Sequence, residues 1–527
     1  MAWDSTSSFS PTRALTSQLS WLELENWLKY SAPIVTGLVV LLATYLLLDH
    51  AQTRPLSKNE PPILPSRIPF LGHVLGMLFQ GGRYVKNIGL DNPHLPIFTL
   101  PVPFSRIYIV TSPSLALSVQ RLPPNSLSFT PLVPDITKRV LGLGPQTVEI
   151  VRQNIDPTPG EPSGFLADMH DLVGKSLAPG EEMKKLIRSA AHEFRQVVGG
   201  YVPPNPDNVE IDLLVWIRHF VAVATAKVFY GGDNPLAADP QLEEAFWDFD
   251  HGLGGLLAGV WPSVMAKKAY KGRERLVKAF ERWLVERRYE EEDVAGIIKQ
   301  RVEIAQRHGW ELREVARSEV SFLFAGIVNT ATTTFWGVLQ VCNDRGLLGE
   351  VRKELGVRMD TEEIVWSQKE KVLLEAVVKE CLRLNSDTYS TRLVVPKEGV
   401  EVTVKGREYW FKGGAVVQIS GGTIHSSRDN WGEDVREFRP ERFLAGVNYK
   451  NFRAFGGGKT LCPGRHFAVA VIRLLIVMVV TKFEVEIVGD KLPEKDDGVL
   501  PVHVLEPKER VIVKIRVRDE RKFGADE

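Results

Sequence analysis

One cysteine in this chain stands in unusual company. The run FGGGKTLCPGRHFA, Phe455 to Ala468, sets Cys462 between Gly456, Gly457 and Gly458 on one side and Pro463–Gly464 on the other. A cysteine ligates iron as its thiolate, and a thiolate needs nearby donors and little steric hindrance. Consecutive glycines let the backbone turn closely under a flat ligand and leave amide hydrogens to point at the sulfur. Pro463 and Gly464 then set the start of an apolar helix whose N-terminal dipole further favours an anion. Glycine-rich turns before helices are also ordinary structural devices, so the loop alone allows either a ligating cysteine or an inert one. A second pattern lies upstream. KECLR places Glu380 and Arg383 at i, i+3 on one helical face, where carboxylate and guanidinium can pair. Most such pairs are solvated surface contacts.

These residues need elements to position them. Glu314 to Asn343 runs without a proline and is apolar nearly all round past Val320, the pattern of a long helix through a large core. TEEIVWSQKEKVLLEAVVKECLRLN continues with helical periodicity to about Leu384. VEVTVKGREYWFKGGAVVQIS alternates around a Lys-Gly-Arg turn, and RVIVKIRV alternates again near the end, so both read as strands. HFAVAVIRLLIVMVVTKFEV reads as a helix running into a strand; Arg473 interrupts its apolar run, which makes it core. From about residue 72 to 349 the pattern is mostly helical, broken by proline-rich loops. The expected fold is mainly α with a smaller β-rich part contributed largely by the C-terminal third.

The N-terminal region differs. Tyr30 to Leu48 carries no charge over 19 residues, about 28 Å of helix and so about one bilayer core. The residues before it carry Asp4, Glu23 and Glu25 against Arg13 and Lys29, a poor leader for a cleaved signal. A single uncleaved anchor is expected, with Arg54, Lys58 and Arg67 after it placing the bulk of the chain in the cytoplasm. Four prolines between Pro61 and Pro69 suggest a stiff, extended spacer or an irregular loop. The expected divisions are an N-terminal segment 1–29, an anchor 30–48, a proline-rich linker 49–71 and a catalytic domain 72–527. Lys plus Arg and Asp plus Glu number 65 each with no basic block, which argues against a nucleic-acid partner. Cys342, Cys381 and Cys462 have no framework-like spacing and fit a reducing compartment.

Together, Phe455, Gly458, Cys462 and Gly464 in the loop, Glu380 and Arg383 in KECLR, and Arg442 in FRPERF resemble the cytochromes P450. The resemblance runs from about residue 30 to the end. It implies the P450 fold behind one transmembrane helix and haem b with Cys462 as axial ligand of the iron. It implies a structural triad of Glu380, Arg383 and Arg442. Cofactor contacts are then expected from Phe455, Gly456, Gly458, Ala325 and Gly326, and from Arg392 to a haem propionate. Two residues before the cysteine, where the family often has Arg or His, stand Thr460 and, one earlier, Lys459. In AGIVNTATTTFW, Val328 holds the place of the family's usual acid and Asn329 that of its threonine. Asn329, with Thr330, is the expected catalytic pair; Asn329 and Thr333 lie one i, i+4 step apart, whereas Thr330, Thr332 and Thr334 can bond back to the helix backbone.

NTATTTFW and CPGRHFA further resemble the branch containing cholesterol 7α-hydroxylase, sterol 12α-hydroxylase and prostacyclin synthase. The resemblance implies a membrane-anchored monooxygenase that oxidises, most simply hydroxylates, a small lipophilic substrate such as a terpenoid, steroid or polyketide. Oxygen and electrons from NADPH through a separate P450 reductase would drive it. The alternative within the branch is an oxygen-independent isomerase or dehydratase of the prostacyclin-synthase type. The implied location is the endoplasmic reticulum membrane, single-pass, with the catalytic domain cytoplasmic. The turn around Val499–Val502 is where related enzymes often line the pocket.

Overall fold

The centre of the molecule is the helix Leu312–Asn343. Leu323, Ile327, Val328, Ala331, Phe335, Val338 and Leu339 on it are fully buried, as expected of a helix apolar on every side. The structure is a computed structural model that describes residues 12–203, 209–356, 373–404 and 406–518. The helices Leu213–Tyr230, Lys267–Val285 and Arg465–Lys482 pack around the long helix. Helices approach closely at two glycines. A Cβ at Gly337 would lie 2.4 Å from the Ile476 side chain, and one at Gly272 would lie 2.3 Å from the Ala245 carbonyl oxygen on the helix Gln241–His251. The three apolar helices Leu213–Tyr230, Leu312–Asn343 and Arg465–Lys482 are long enough to cross a membrane, yet all are largely buried in the protein.

The strands are β1 (Ile97–Val102), β2 (Ser105–Val110), β3 (Leu127–Ser128), β4 (Val209–Asp212), β5 (Tyr389–Val394), β6 (Val400–Val404), β7 (Arg407–Phe411), β8 (Val416–Ser420), β9 (Phe483–Ile487) and β10 (Ile512–Val517). They form a five-stranded sheet in the order β1-β2-β8-β5-β3, a three-stranded sheet β4-β10-β9 and the hairpin β6-β7. In the large sheet β2 pairs parallel with β8, aligning Ile109 with Gln418, and β8 pairs antiparallel with β5, aligning Val417 with Arg392. The predicted strands at 400–420 and 510–517 are present, the latter over Ile512–Val517, as is the helix that runs directly into β9.

The sheet corrects one expectation. Three of its five strands, β1, β2 and β3, come from the N-terminal third, and β4 of the three-stranded sheet comes from the middle of a stretch read as helical. β1 contains Pro101 and is buried along its whole length, so it shows neither alternation nor a clean strand composition. Proline is tolerated there because β1 is the edge of the sheet.

The proline-rich run is also not a free spacer. The amide of Leu64 donates to the Thr99 carbonyl at 3.0 Å and the amide of Thr99 to the Pro62 carbonyl at 2.8 Å, covering the open edge of β1. Covering an edge removes unpaired backbone groups that would otherwise invite association. The apolar N-terminal run lies in a helix that spans Thr12–Thr53, longer than the expected anchor at both ends. Its last turns are tied to the domain: Gln52, fully buried, donates to Asp49 and to the Ser66 carbonyl and accepts from the Phe70 amide. The helix before Leu384 is observed over Leu373–Asn385; the part read over 361–372 lies outside the described residues.

Candidate functional site at the cysteine loop

The loop around Cys462 opens onto a cavity of about 480 Å³, within the usual size of cofactor and ligand sites. Cys462 is the only one of the three cysteines in its lining. Cys342 packs against the core and Cys381 is buried in it; burial pushes the first thiol up to about 12 and holds the second well above the usual thiol range. Burial raises the Cys462 thiol too, while the amides of Gly464 and Arg465 and the Arg465 charge act in the opposite sense. These two amides open the helix Arg465–Lys482, so the expected helix N-terminus is at the sulfur. The expected donors from Gly456–Gly458 are not. Gly456 and Gly458 adopt left-handed backbone angles, φ +71° and +61°. Gly457 and Gly458 are held against Gln120: a Cβ at Gly458 would lie 2.5 Å from the Gln120 carbonyl oxygen. Gly458 is absent from the cavity lining, so its role is to let the helix Pro113–Arg121 approach the loop. Phe455 and Gly456 do line the cavity, and the Phe455 carbonyl accepts from the Cys462 amide at 3.0 Å.

The long helix contributes Phe322, Ala325, Gly326, Asn329 and Thr330, a single stripe at i, i+3, i+4, i+7 and i+8. Asn329 Oδ1 accepts from the Val504 amide at 2.9 Å. That acceptor bond fixes the carboxamide orientation and leaves Nδ2 as the group offered to the cavity. Thr334 Oγ1 donates to the Thr330 carbonyl at 2.8 Å, the back-bonding expected of a buried threonine. Thr333 is not at the site: it is fully buried, its hydroxyl has no hydrogen-bond partner among the described residues, and it lies outside the cavity. Val502 and Val504 line the cavity from the C-terminal turn.

Arg392, on β5, is 4% exposed and lines the cavity. Its guanidinium donates to the Thr460 hydroxyl at 2.7 Å, the Gly457 carbonyl at 3.1 Å and the Thr391 carbonyl at 2.9 Å. No carboxylate faces it among the described residues, and burial lowers its pKa. Thr460, standing where the family often has a cation, is thus a ligand of Arg392. Sequence reasoning missed a second such cation, Arg453, which is buried in the same lining and donates to Gln120 Oε1 at 3.0 Å. Its Nε has no partner among the described residues. An arginine two residues before Phe455 in an otherwise apolar run was the available signal.

Glu380, Arg383 and Arg442 come together away from the cavity. Arg383 grips Glu380 with two bonds of 2.7 Å and donates to the carbonyls of His425 and Val435. Arg442 Nε reaches Glu380 Oε1 at 3.3 Å. Glu380 and Arg383 are almost completely buried. His425, unnoticed in the sequence, joins this network to the cysteine loop. Its Nδ1 donates to the Ser386 carbonyl at 2.9 Å and its Nε2 accepts from the Arg453 amide at 2.8 Å.

Comparison with known proteins places this arrangement. The sequence model of the cytochrome P450 family matches residues 268–515. A cytochrome P450 monooxygenase of Gibberella zeae is 28% identical over 495 residues, 91% of this chain and 90% of that protein. The 5-beta-cholestane-3-alpha,7-alpha-diol 12-alpha-hydroxylase of Sus scrofa is 24% identical and covers 88% of this chain and 93% of its own. The retinoic acid-bound cyanobacterial CYP120A1 shares the fold, with a TM-score of 0.67 at 19% identity over 88% of this chain and 100% of that structure. Fold and relatives define an oxidoreductase of the monooxygenase class. Residues 268–515 form a cytochrome P450 domain, and the chain resembles the branch that holds the sterol 7α- and 12α-hydroxylases.

The family's cofactor is a cysteine-ligated haem. The residues present fit it: one sulfur at a helix N-terminus, and two buried guanidiniums, Arg392 and Arg453, without acid partners among the described residues, to meet a carboxylate-bearing edge.

Proposed function

We propose that this protein hydroxylates a small lipophilic substrate of terpenoid, steroid or polyketide type, with dioxygen and with electrons passed from NADPH by a separate P450 reductase. The observation that carries the reading is the meeting of Cys462, Arg392 and the Ala325–Thr330 stripe around one largely apolar cavity. When bound, haem b supplies the oxygen-activating chemistry. Cys462 would be its iron ligand, with the Gly464 and Arg465 amides stabilising the thiolate. Arg392 would hold a propionate, and Phe455 and Gly456 would lie against the ring. The small side chains at Ala325 and Gly326 leave room above it. Asn329, its Oδ1 already engaged, offers an N–H donor where a proton must be delivered, and Thr330 accompanies it. Phe129, Val173, Leu177, Phe322 and Val502 exclude water and favour an apolar substrate. The pig relative, named for oxidation of a cholestane diol, supports a polycyclic or similarly lipophilic substrate.

The location proposed is the endoplasmic reticulum membrane, single-pass, with 30–48 as the anchor and 72–527 as the cytoplasmic catalytic domain. The 1–29 segment precedes the anchor and 49–71 joins it to the domain. Two observations support a membrane at this face. The apolar part of the helix from Pro33 onward is not covered by the protein. The neighbouring helix Leu71–Gln80 exposes Leu71, Leu78 and Phe79, and Tyr45 donates to the Arg67 carbonyl just ahead of it.

The deciding experiment is the carbon monoxide difference spectrum of the reduced protein beside Cys462→Ala. A strongly red-shifted Soret band that disappears in the variant is expected. A folded, haem-loaded wild type without that band would overturn the ligand assignment. Product formation that requires both oxygen and NADPH with reductase then separates hydroxylation from oxygen-independent rearrangement.

A further inference from the structure

Behind the cavity wall the segment from Val502 to Glu506 runs as a strap pinned on both sides. Toward the long helix, the Val504 amide donates to Asn329 Oδ1 at 2.9 Å, and the Leu505 carbonyl accepts from Trp336 Nε1 at 2.9 Å. The Leu505 amide donates to the Asn385 carbonyl at 2.8 Å. The alternate side chains point the other way. His503 Nδ1 donates to the Val504 carbonyl at 3.0 Å, and its Nε2 lies 3.4 Å from Asp250 Oδ1. Glu506 pairs with Arg218 of the helix Leu213–Tyr230 and lies 3.6 Å from His251 Nε2.

Asp250 and His251 form the last turn of the helix Gln241–His251. Asp250, His251 and Glu506 are close enough to hold a cation, but Arg218 already fills that place, 3.1 Å from His251 Nε2 and stacked over Trp247. The cluster is therefore compensated by its own arginine. Charge counting then singles out His503. Arg218 balances Glu506, while the Asp250 side chain is fully buried, and neither of its oxygens has a hydrogen bond within normal geometry among the described residues. An isolated buried carboxylate is costly, and His503 is the cation that faces it.

We propose that His503 is a positioning residue: paired with Asp250, it holds the strap in the register at which the Val504 amide fixes Asn329 with its Nδ2 toward the cavity. The end of the Gln241–His251 helix and the polar donor of the cavity are thereby coupled. This rests on the reading of Asn329 as the cavity's donor. The groups that face His503 and its partner are Asp250 and His251 from one helix, Arg218 from another and Glu506 from the strap. Of these, His503 is the titrating group the coupling invokes; Asp250 beside it favours its charged form.

The test uses the full-length, haem-loaded protein with its ferrous carbon monoxide complex. The C–O stretching frequency reports a polar donor beside the bound gas. Deuterium exchange of the peptide covering 499–507 reports the strap without reference to haem. Asn329→Leu should shift the C–O stretch. His503→Leu and Asp250→Asn should shift it in the same direction and speed exchange of the strap about fivefold, the loss of roughly one hydrogen bond's stabilisation. His503→Gln, which can still donate to Asp250, should restore most of both signals. In the wild type, the stretch should move toward the His503→Leu value as pH rises, and Asp250→Asn should abolish that pH dependence. Wild-type frequency and exchange in His503→Leu, alongside a shifted Asn329→Leu, would overturn the coupling alone. No shift in Asn329→Leu would overturn the donor reading and the coupling with it. Should His503→Leu fail to fold, a wild-type stretch that stays constant between pH 5.5 and 9, roughly the range of histidine titration, overturns the proposal.

Discussion

Arg383 has no role at the cavity, yet the site depends on it. Its two bonds to Glu380 and two to the His425 and Val435 carbonyls use nearly all of its donors inside the protein. Removing one partner of such a pair leaves the other charge buried and unmatched. Arg383→Ala should therefore destabilise the protein by about 3–5 kcal/mol, read in chemical unfolding and in loss of haem during purification. His425 makes a pH prediction. Burial lowers its pKa to about 3, against the bond to the Ser386 carbonyl, which acts in the opposite sense. Protonation would set an Nε2–H against the Arg453 amide. Because the folded-state pKa lies below that of the unfolded chain, the unfolded state binds the proton first on acidification. Stability from this residue is complete above about pH 6.5 and falls by about 1.4 kcal/mol per pH unit toward pH 3. Unfolding midpoints of wild type and His425→Gln, compared across pH 7 to 4, should show the steeper loss in the wild type.

At the scale of elements, the packing of helices decides where the cavity walls lie. Gly272 lets the helix Lys267–Val285 lie directly on the helix Gln241–His251, since a Cβ there would press the Ala245 carbonyl, which is backbone and cannot swing aside. Gly272→Ala should cost about 1–3 kcal/mol through overpacking, despite alanine's better helix propensity. Thermal unfolding measures it, and a stabilised variant would contradict the close packing. The same logic explains the cysteine loop. Its glycines were expected to serve the ligand, but Gly457 and Gly458 serve the approach of the Pro113–Arg121 helix, whose Gln120 also meets Arg453.

For the whole molecule, the junction between the N-terminal helix and the domain is the sensitive point. Gln52 is fully buried and ties the end of the N-terminal helix to Ser66 and Phe70. A chain beginning at residue 49 should retain the stability of the parent domain. One beginning at residue 55 leaves the Phe70 amide and the Ser66 carbonyl without Gln52, and should lose about 1–3 kcal/mol. Equal unfolding midpoints for the two truncations would show the junction to be dispensable.

Much of this protein was legible in its sequence because the signals were local. The cysteine loop, the Glu380–Arg383 spacing, the apolar run at 30–48 and the long helix each state their element within a few turns of chain. The stripe Ala325, Gly326, Asn329 and Thr330 follows from helical periodicity alone. What the sequence left open depended on contacts between distant segments. β1 and β2 were hidden because burial on both faces removes alternation and because an edge strand tolerates Pro101. Thr333 shares a sequence step with Asn329, but the neighbouring helices bury it. Arg453, His425 and His503 carry no motif; only the fold decides which of them face the cavity, the triad or the strap. Local backbone preference and periodicity are written along the chain, whereas the partner of a buried charge is fixed by which segments the core brings together.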